Sequence, residues 1–450
     1  MNAALNKTML NYSSAEMLDI VKEKIKYNEN SSYYQTNDML EWYSEWDFKQ
    51  YNPNIYSHGF HQYPAKFIPQ LARKLLRVFT DNNSVVLDIF SGSGTTLIES
   101  FLLNRKKSIG IELNPFAVFM ADVKTKPINP IELRQSFSEI KNFYNSANYD
   151  LNNLDTFYNI NFWFKEETII ELSILKKCIT QIEQIDIQNF FLLILSDVIR
   201  KVSLTKHSGF KLHRDKLKLS PSFKPNVFFE FEKLFNKNIL LMEEFYIESK
   251  NNKTEILLIH GDSRKKQNID ENSIDFILTS PPYGDSKTTV AYGQFSRLSW
   301  QWIKNDSNIY SLDNDLLGGK NNVNFNNEIL EFSATLKDQL EIIKNIDSLR
   351  AKDVLSFYID LYETLKNAYF YLKHDKYFVL VTGNRTVKNV FLRTDTIISE
   401  LAHIIGFKVE KVLFRNIINK RMPDKNCPTN IKGQYSNTML QENIIFLRKN

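Results

Sequence analysis

The stretch Val85-Val86-Leu87-Asp88-Ile89-Phe90-Ser91-Gly92-Ser93-Gly94-Thr95-Thr96 decides the fold of this 450-residue chain. It opens on an apolar, β-branched run, the pattern of a buried strand at Val85–Ile89. The turn at Phe90–Gly94 holds two glycines, which tolerate positive φ and carry no Cβ, so a ligand can approach the backbone closely. A helix is expected from Thr95 to about Asn104, and its N-terminus presents free N–H groups to an anionic group of a ligand. A second strand, Ser108–Glu112, ends in an acid. Strand, glycine turn, helix and acid-tipped strand form the first half of a nucleotide-binding βαβ unit. The turn does not keep the Gly-x-Gly-x-x-Gly register of dinucleotide binders, because Leu97 stands where the third glycine belongs.

A second informative string is Leu278-Thr279-Ser280-Pro281-Pro282-Tyr283, at the end of the apolar run Ile274–Leu278. Two prolines lock φ and stiffen the tip. Ser280 offers a hydroxyl, the Pro281 carbonyl a second acceptor, Pro282 rigidity, and Tyr283 a ring for stacking on a flat base. Such a tip suits an aromatic amine. The lone pair of that nitrogen is delocalised into its ring, so catalysis rests on positioning and on acceptors for its hydrogens.

Between and beyond these strings the reading is coarser. Helices are expected over Ala15–Tyr27, Pro69–Thr80, Pro115–Lys124, Phe295–Ile303, Val354–Leu372 and Thr394–Ile405. Strands are expected at Glu255–His260, Tyr377–Thr382, Lys408–Phe414 and Glu442–Leu447. Asp285–Gly293 reads as a loop, and Lys287–Gln294, just after the tip, is expected to face the substrate. The Asn-, Asp- and Gly-rich run 304–327 reads as a long surface loop. Residues 131–254 carry helical periodicity and read as an insertion. Within it, Lys206–Pro225 holds six Lys or Arg against one Asp. The expected organisation is an N-terminal segment (1–54), a sheet domain (55–130 with 255–450) and the helical insertion (131–254).

Bulk composition bounds the class. The hydrophobic fraction is 43%, the charged fraction 24% and the net charge +5. These values fit an ordinary globular protein with a mild basic bias. No uninterrupted apolar run of roughly 18 residues exists to cross a membrane. No signal-peptide pattern opens the chain. Cys178 and Cys427 make neither a disulfide framework nor a metal-type spacing. The expected location is therefore the reducing cytoplasm. His58 and His61 lack a third ligand at suitable spacing, so no metal is expected.

The pattern Asp88-x-Phe90-x-Gly92-x-Gly94-Thr95-Thr96 resembles the motif that binds S-adenosyl-L-methionine (AdoMet) in the DNA amino-methyltransferases. The loop Tyr63-Pro64-Ala65-Lys66-Phe67 is similar to the element of that family that closes over the methionine end. Thr-Ser-Pro-Pro-Tyr resembles the cytosine-N4 subtype; Asp- or Asn-Pro-Pro-Tyr/Phe is typical of adenine-N6 enzymes. The resemblance covers residues 57–126 and 255–450. It implies a doubly wound α/β sheet of seven strands, the last antiparallel to its neighbour. It implies AdoMet as cofactor, held by Tyr63, Pro64, Lys66, Asp88, Phe90, Gly92, Gly94, Thr95, Glu112 (ribose) and Asp262 (adenine amine). Ser280, Pro281, Pro282 and Tyr283 would be catalytic, on a base flipped out of duplex DNA.

Lys206, Lys211, Arg214, Lys216 and Lys287 are the expected DNA contacts. The implied setting is a restriction–modification system, with a cognate endonuclease acting separately. Adenine-N6 methylation, RNA amino-methylation and a non-catalytic AdoMet- or DNA-binding module stay open as alternatives. Carbon-5 cytosine methylation is excluded, since it needs a cysteine nucleophile, usually after a proline. Here Cys427 precedes Pro428, and Cys178 sits in a helical pattern. The insertion falls between the ribose acid and the third strand, which departs from the family's usual arrangement.

Overall fold

A computed structural model describes residues 46–146, 154–206, 210–286, 288–320, 322–417, 425–426, 436–437 and 441–450. The helix expected over 15–27, most of the N-terminal segment, His207, Lys287 and Cys427 lie outside the described residues.

The core is a seven-stranded sheet. Its strands are β1 (Val85–Asp88), β2 (Lys107–Glu112), β3 (Glu255–His260), β4 (Ile274–Thr279), β5 (Leu372–Thr382), β6 (Phe407–Asn416) and β7 (Gln441–Lys449). They lie in the order β3-β2-β1-β4-β5-β7-β6. The first five strands pair parallel, and β7 runs antiparallel to both β5 and β6. This is the expected doubly wound methyltransferase-type sheet. Chain order reverses direction at β1, with β2 on one side and β4 on the other. Open α/β sheets place their ligand crevice at such a switch, beyond the carboxyl ends of the strands.

Helices cover both faces, as parallel strands require. Val86, Phe276, Leu278, Val379 and Ile444 point to one face, where helix α1 (Pro69–Phe79) sets Leu71, Leu75 and Leu76 against them. Pro69 occupies the first helical turn, where its missing N–H costs nothing. Leu87, Ile277, Phe378, Leu380 and Ile445 point to the other face, the period of two that a strand dictates. There they meet α9 (Ala334–Ile346), α10 (Ser348–Tyr371) and α11 (Thr394–Ile405).

A third apolar cluster links α2 (Thr95–Leu102) and α3 (Pro115–Lys124) to four helices of the insertion, α4 (Pro130–Ser146), α5 (Glu166–Thr180), α6 (Ile185–Val202) and α7 (Val227–Glu248). It extends to α8 (Tyr292–Lys304), which follows the Pro-Pro-Tyr tip. Helices of the insertion thus share a continuous core with elements of the sheet domain.

Three local readings need correction. The run 304–327 is not a plain surface loop. It folds into short helices at Ser307–Tyr310 and Leu312–Asp315, and Ile309, Leu312 and Leu317 are buried. Its polar composition hides these anchors, and Asp313 accepts the N–H groups of Gly293 and Gln294. That bonding also starts α8 at Tyr292, inside the segment expected as loop. Helix α9 and a small antiparallel ribbon, Arg385–Val387 with Val390–Leu392, were not foreseen.

Candidate active site

The glycine turn and the Pro-Pro-Tyr tip meet because β1 and β4 are neighbours. Asp88, at the end of β1, is buried, and its Oδ1 accepts the Thr279 hydroxyl at 2.6 Å and the Phe90 N–H at 3.1 Å. Thr279 is the first residue of the Thr-Ser-Pro-Pro-Tyr string. The two motifs are therefore joined by a direct hydrogen bond across the sheet. Burial raises the Asp88 carboxyl to about 6, against the opposing bonds from Thr279, Thr96 and Phe90.

The turn itself uses both glycines. Gly92 has φ 50° and Gly94 φ 88°, in the left-handed region where a Cβ is strained. A Cβ on Gly92 would stand 3.4 Å from the Tyr63 ring, and one on Gly94 would stand 3.0 Å from the Ala121 Cβ. The Gly92 N–H donates to Glu112 Oε2 at 2.8 Å, and the Asn114 N–H donates to Oε1 at 2.7 Å. Burial pushes Glu112 up to about 7, with the two N–H bonds opposing. Each carboxylate oxygen keeps acceptor capacity beyond its one bond. Asn114 then caps α3 through the Phe116 N–H and donates to the hydroxyls of Tyr63 and Ser296.

A pocket opens at these strand ends. Of the residues expected to hold cofactor, Tyr63, Pro64, Lys66, Phe90, Gly92, Thr95, Glu112 and Asp262 line it. Asp88 and Gly94 stand behind that wall and shape it. From the tip, Ser280 and Pro282 line the same pocket. Pro281 and Tyr283 are not among its lining residues, and the Tyr283 hydroxyl donates to Glu442 at 2.9 Å.

Asp262, expected to face an adenine amine, is held by the Arg264 guanidinium at 2.9 Å, which also reaches Asp360 at 3.0 Å. Nothing in the sequence announced that pair. Tyr292, Leu316 and Leu317 also line the pocket and were not singled out. Tyr292 falls in the stretch 287–294 expected to face substrate. Leu316 and Leu317 were concealed in the apparent loop. The Asn114-Pro115 cap that follows β2 was a readable helix-start signal.

The loop leading into Tyr63 is fixed from outside. Lys66, Lys237, Asn238 and Lys124 donate in turn to the carbonyls of His58, Gly59, Phe60 and His61. Lys237 and Asn238 come from α7 of the insertion. His58 is buried and bonded to Glu99 at 2.8 Å, and burial lowers it to about 4. Burial also lowers His61 to about 4. Both histidines are structural. Among the described residues no group of three or more His, Cys, Asp or Glu could hold a metal.

After the tip, Asp285 is buried between Arg350 at 2.8 Å and Arg385 at 3.0 Å. Burial would raise its carboxyl, but Arg385 and Arg350 hold it at about 2. The basic run lies beside α8. The Leu212 N–H donates to Gln294 Oε1, and Phe210 packs edge-on against Phe295. Lys206, Lys211 and Lys216 are exposed. Arg214 lies over the Phe162 ring, 4.5 Å from its centroid.

A family model described as DNA methylase (N6_N4_Mtase) matches residues 5–122. The chain is 37% identical over 460 aligned positions to the type II methyltransferase M.MvaI of Kocuria varians, covering 98% of each chain. The chain belongs to the AdoMet-dependent DNA amino-methyltransferase family. A second relative, the type II methyltransferase M.MjaII of Methanocaldococcus jannaschii, is 35% identical over 85 residues, 19% of this chain and 16% of that protein. Solved structures with some likeness include a SAM-dependent methyltransferase from Methanosarcina mazei, at 8% identity and a TM-score of 0.30, over 86% of this chain and 98% of that one.

Membership brings AdoMet as cofactor and DNA as substrate. The residues present fit that cofactor. The left-handed glycine turn leaves room where a Cβ would intrude, the N-terminus of α2 faces the pocket, and Glu112 retains acceptor capacity at the tip of β2. Bound there, AdoMet supplies an electrophilic methyl group. No helix of the described residues is long and apolar enough to cross a membrane.

Proposed function

We propose that this DNA methyltransferase modifies N4 of cytosine at a specific site in double-stranded DNA, on a base flipped out of the helix. The observation that carries the reading is Ser280 in the wall shared with Gly92 and Glu112. A hydroxyl there can accept from the target amine, and the Pro281 carbonyl supplies a second acceptor. Together they draw the nitrogen toward sp³ geometry and free its lone pair for the methyl carbon. Tyr283 offers its ring to the base, and the two prolines keep the acceptors in place.

On this reading Tyr63, Pro64 and Lys66 close over the methionine end of the cofactor, while Phe90, Gly92, Gly94 and Thr95 cradle it. Asp88 holds the turn, Glu112 accepts from the ribose hydroxyls, and Asp262 lies toward the adenine. The catalytic domain comprises 55–130 with 255–450. The insertion, 131–254, meets DNA through Lys206, Lys211, Arg214 and Lys216, with Lys287 outside the described residues. The basic run packs beside α8, whose first residue lines the pocket, and this supports DNA contact close to the reacting base. The reading extends to a cytoplasmic restriction–modification setting with a separate endonuclease, and the designation of both relatives as type II methyltransferases supports it.

The test is direct. The protein is incubated with labelled AdoMet and duplex DNA, and the product is digested to nucleosides. N4-methyldeoxycytidine is expected. N6-methyldeoxyadenosine overturns the base assignment, label appearing with RNA alone overturns the substrate class, and no label at all leaves a binding module. Ser280→Ala should slow turnover by about 100-fold or more, within the range of acid–base contributions, with AdoMet affinity unchanged. Equal loss of both would assign the tip to the cofactor.

A further inference from the structure

Behind Ser280 a file of hydroxyl and carboxylate groups leads away from the pocket. The Ser280 hydroxyl donates to the Tyr283 hydroxyl oxygen at 3.4 Å. The Tyr283 hydroxyl donates to Glu442 Oε1 at 2.9 Å. Glu442 Oε2 accepts from Arg415 Nη1 at 3.0 Å. Glu442 and Arg415 stand directly opposite each other on β7 and β6. The sheet sets this geometry: β4 and β5 pair through Thr279 and Leu380, and β5 and β7 through Thr382 and Asn443. The start of β7 thus lies beside the tip of β4, although 159 residues separate Tyr283 from Glu442.

Methyl transfer to an aromatic amine leaves a proton to be removed. The C–N bond forms as the S–CH3 bond breaks, the electron pair of that bond stays on sulfur, and the nitrogen sheds one N–H proton. A serine hydroxyl is a poor final acceptor, being far too weak a base. It can pass a proton on if its own leaves at the same time.

We propose that Tyr283 and Glu442 form a proton exit, with Glu442 as the acceptor of the proton shed by the target amine. The proposal rests on the reading of Ser280 as the group that meets that amine. The amine proton goes to Ser280 Oγ, the Ser280 proton to Tyr283 Oη, and the Tyr283 proton to Glu442 Oε1. The Arg415 guanidinium stands 3.0 Å from Glu442 Oε2, on the side away from Tyr283. The Glu442 side chain is 12% exposed, which gives it a route to water, while the Arg415 side chain is 4% exposed. Burial, reinforced by Glu442, raises the Tyr283 phenol well above its usual value. A phenol that resists ionisation relays a proton and does not store one.

A purely positioning role for the Tyr283–Glu442 bond predicts something different, and the experiment separates the two. Glutamine at 442 keeps an oxygen acceptor for the Tyr283 hydroxyl but cannot take a proton at physiological pH. Single-turnover methylation of duplex DNA should slow by about 100-fold or more in Glu442→Gln and in Tyr283→Phe, a loss of the size general acid–base steps contribute. Glu442→Asp should recover most of the rate. AdoMet affinity by calorimetry and the thermal midpoint should stay near wild type. The Tyr283→Phe/Glu442→Gln pair should be no slower than the slower single variant, since both cut one path.

Glu442→Gln could unsettle the buried Arg415, so Glu442→Gln/Arg415→Met is made as well. That variant removes both charges and keeps the hydrogen bond, and it should remain slow. A wild-type rate in Glu442→Gln, or in the charge-free pair, overturns the exit. So do losses that multiply in the Tyr283→Phe/Glu442→Gln pair. Ser280→Ala run alongside distinguishes the two layers: a wild-type rate there removes the underlying reading, while a slow Ser280→Ala with a fast Glu442→Gln removes the exit alone.

Discussion

The two ends of the pocket are built in opposite ways. The centre of the cofactor end is local. Asp88, Gly92, Gly94, Glu112 and Asn114 fall within one strand–turn–helix–strand unit, and their contacts are largely with one another or with backbone N–H groups. The base end is assembled from far apart. Ser280 and Tyr283 come from the tip of β4, Glu442 and Arg415 from the terminal strands, and Arg350 and Arg385 from α10 and the ribbon behind Asp285. A local site tolerates change elsewhere in the chain but not within its own turn. An assembled site depends on strand register, so it fails when distant parts shift.

Asp88 is the place where the two ends touch, and breaking it should have the largest effect. Asp88→Ala leaves the Thr279 hydroxyl and the Phe90 N–H without their shared acceptor in a buried site. An orphaned buried donor costs about 1–3 kcal/mol. AdoMet affinity should fall by about 100-fold, some 2.7 kcal/mol, and the thermal midpoint should drop by several degrees. Calorimetry with thermal unfolding checks this. A variant that loses affinity without losing stability would mean that the ends are independent.

Gly94→Ala probes the cofactor end alone. It forces a side chain into φ 88° and sets a Cβ 3.0 Å from Ala121. Strain of about 1–3 kcal/mol is typical of such backbone. AdoMet binding should weaken by about tenfold or more, while DNA affinity measured without cofactor stays unchanged. An equal loss of DNA binding would show that the turn also supports the base end.

The pH dependence sharpens the same contrast. Glu112 rises from an ordinary glutamate value of 4.5 to about 7. The folded protein therefore holds that proton more tightly than the unfolded chain, and this contribution to stability is lost as pH climbs through 7. On the proposed reading ribose hydroxyls donate to the ionised carboxylate, so AdoMet binding should weaken as pH falls below about 7. The weakening should approach but not exceed about tenfold per pH unit, the limit for one proton. Calorimetry from pH 5.5 to 8 measures it, and Glu112→Gln should flatten the curve. An unchanged slope in that variant would assign the titration to another group.

The smallest effect belongs to the rim of the base end. Replacing Lys211, Arg214 and Lys216 with Ala should lower DNA affinity severalfold at moderate salt. It should also reduce the slope of log K against log salt by up to about 2.7, at roughly 0.9 for each phosphate that is no longer neutralised. Unchanged affinity and slope would exclude this run from the interface.

The same contrast explains what could be read in advance. The β1–turn–α2–β2 unit was legible because apolar period, glycine positions and the terminal acid are all local signals. The helices Pro115–Lys124 and Thr394–Ile405 have the bounds that their periodicity predicts. The run 304–327 misled because its few apolar anchors are scattered among polar residues. Only contact with the sheet's flanking helices shows that Leu312 and Leu317 are core. Arg264 on Asp262, and Lys237 on the Gly59 carbonyl, join residues that no periodicity connects. The helical character of the insertion was visible from its spacing, but its shared core with α2, α3 and α8 was not.

By itself, then, the amino-acid order determined a nucleotide-type sheet, a left-handed glycine turn at Gly92 and Gly94, and a stiff Ser-Pro-Pro-Tyr tip. Each is a short-range consequence of steric freedom or apolar period. The tertiary structure decided which distant groups face one another: Thr279 on Asp88, Tyr283 on Glu442, and the insertion's lysine behind the cofactor loop. Those pairings are set by strand order and by burial over the whole chain, and sequence neighbours carry no record of either.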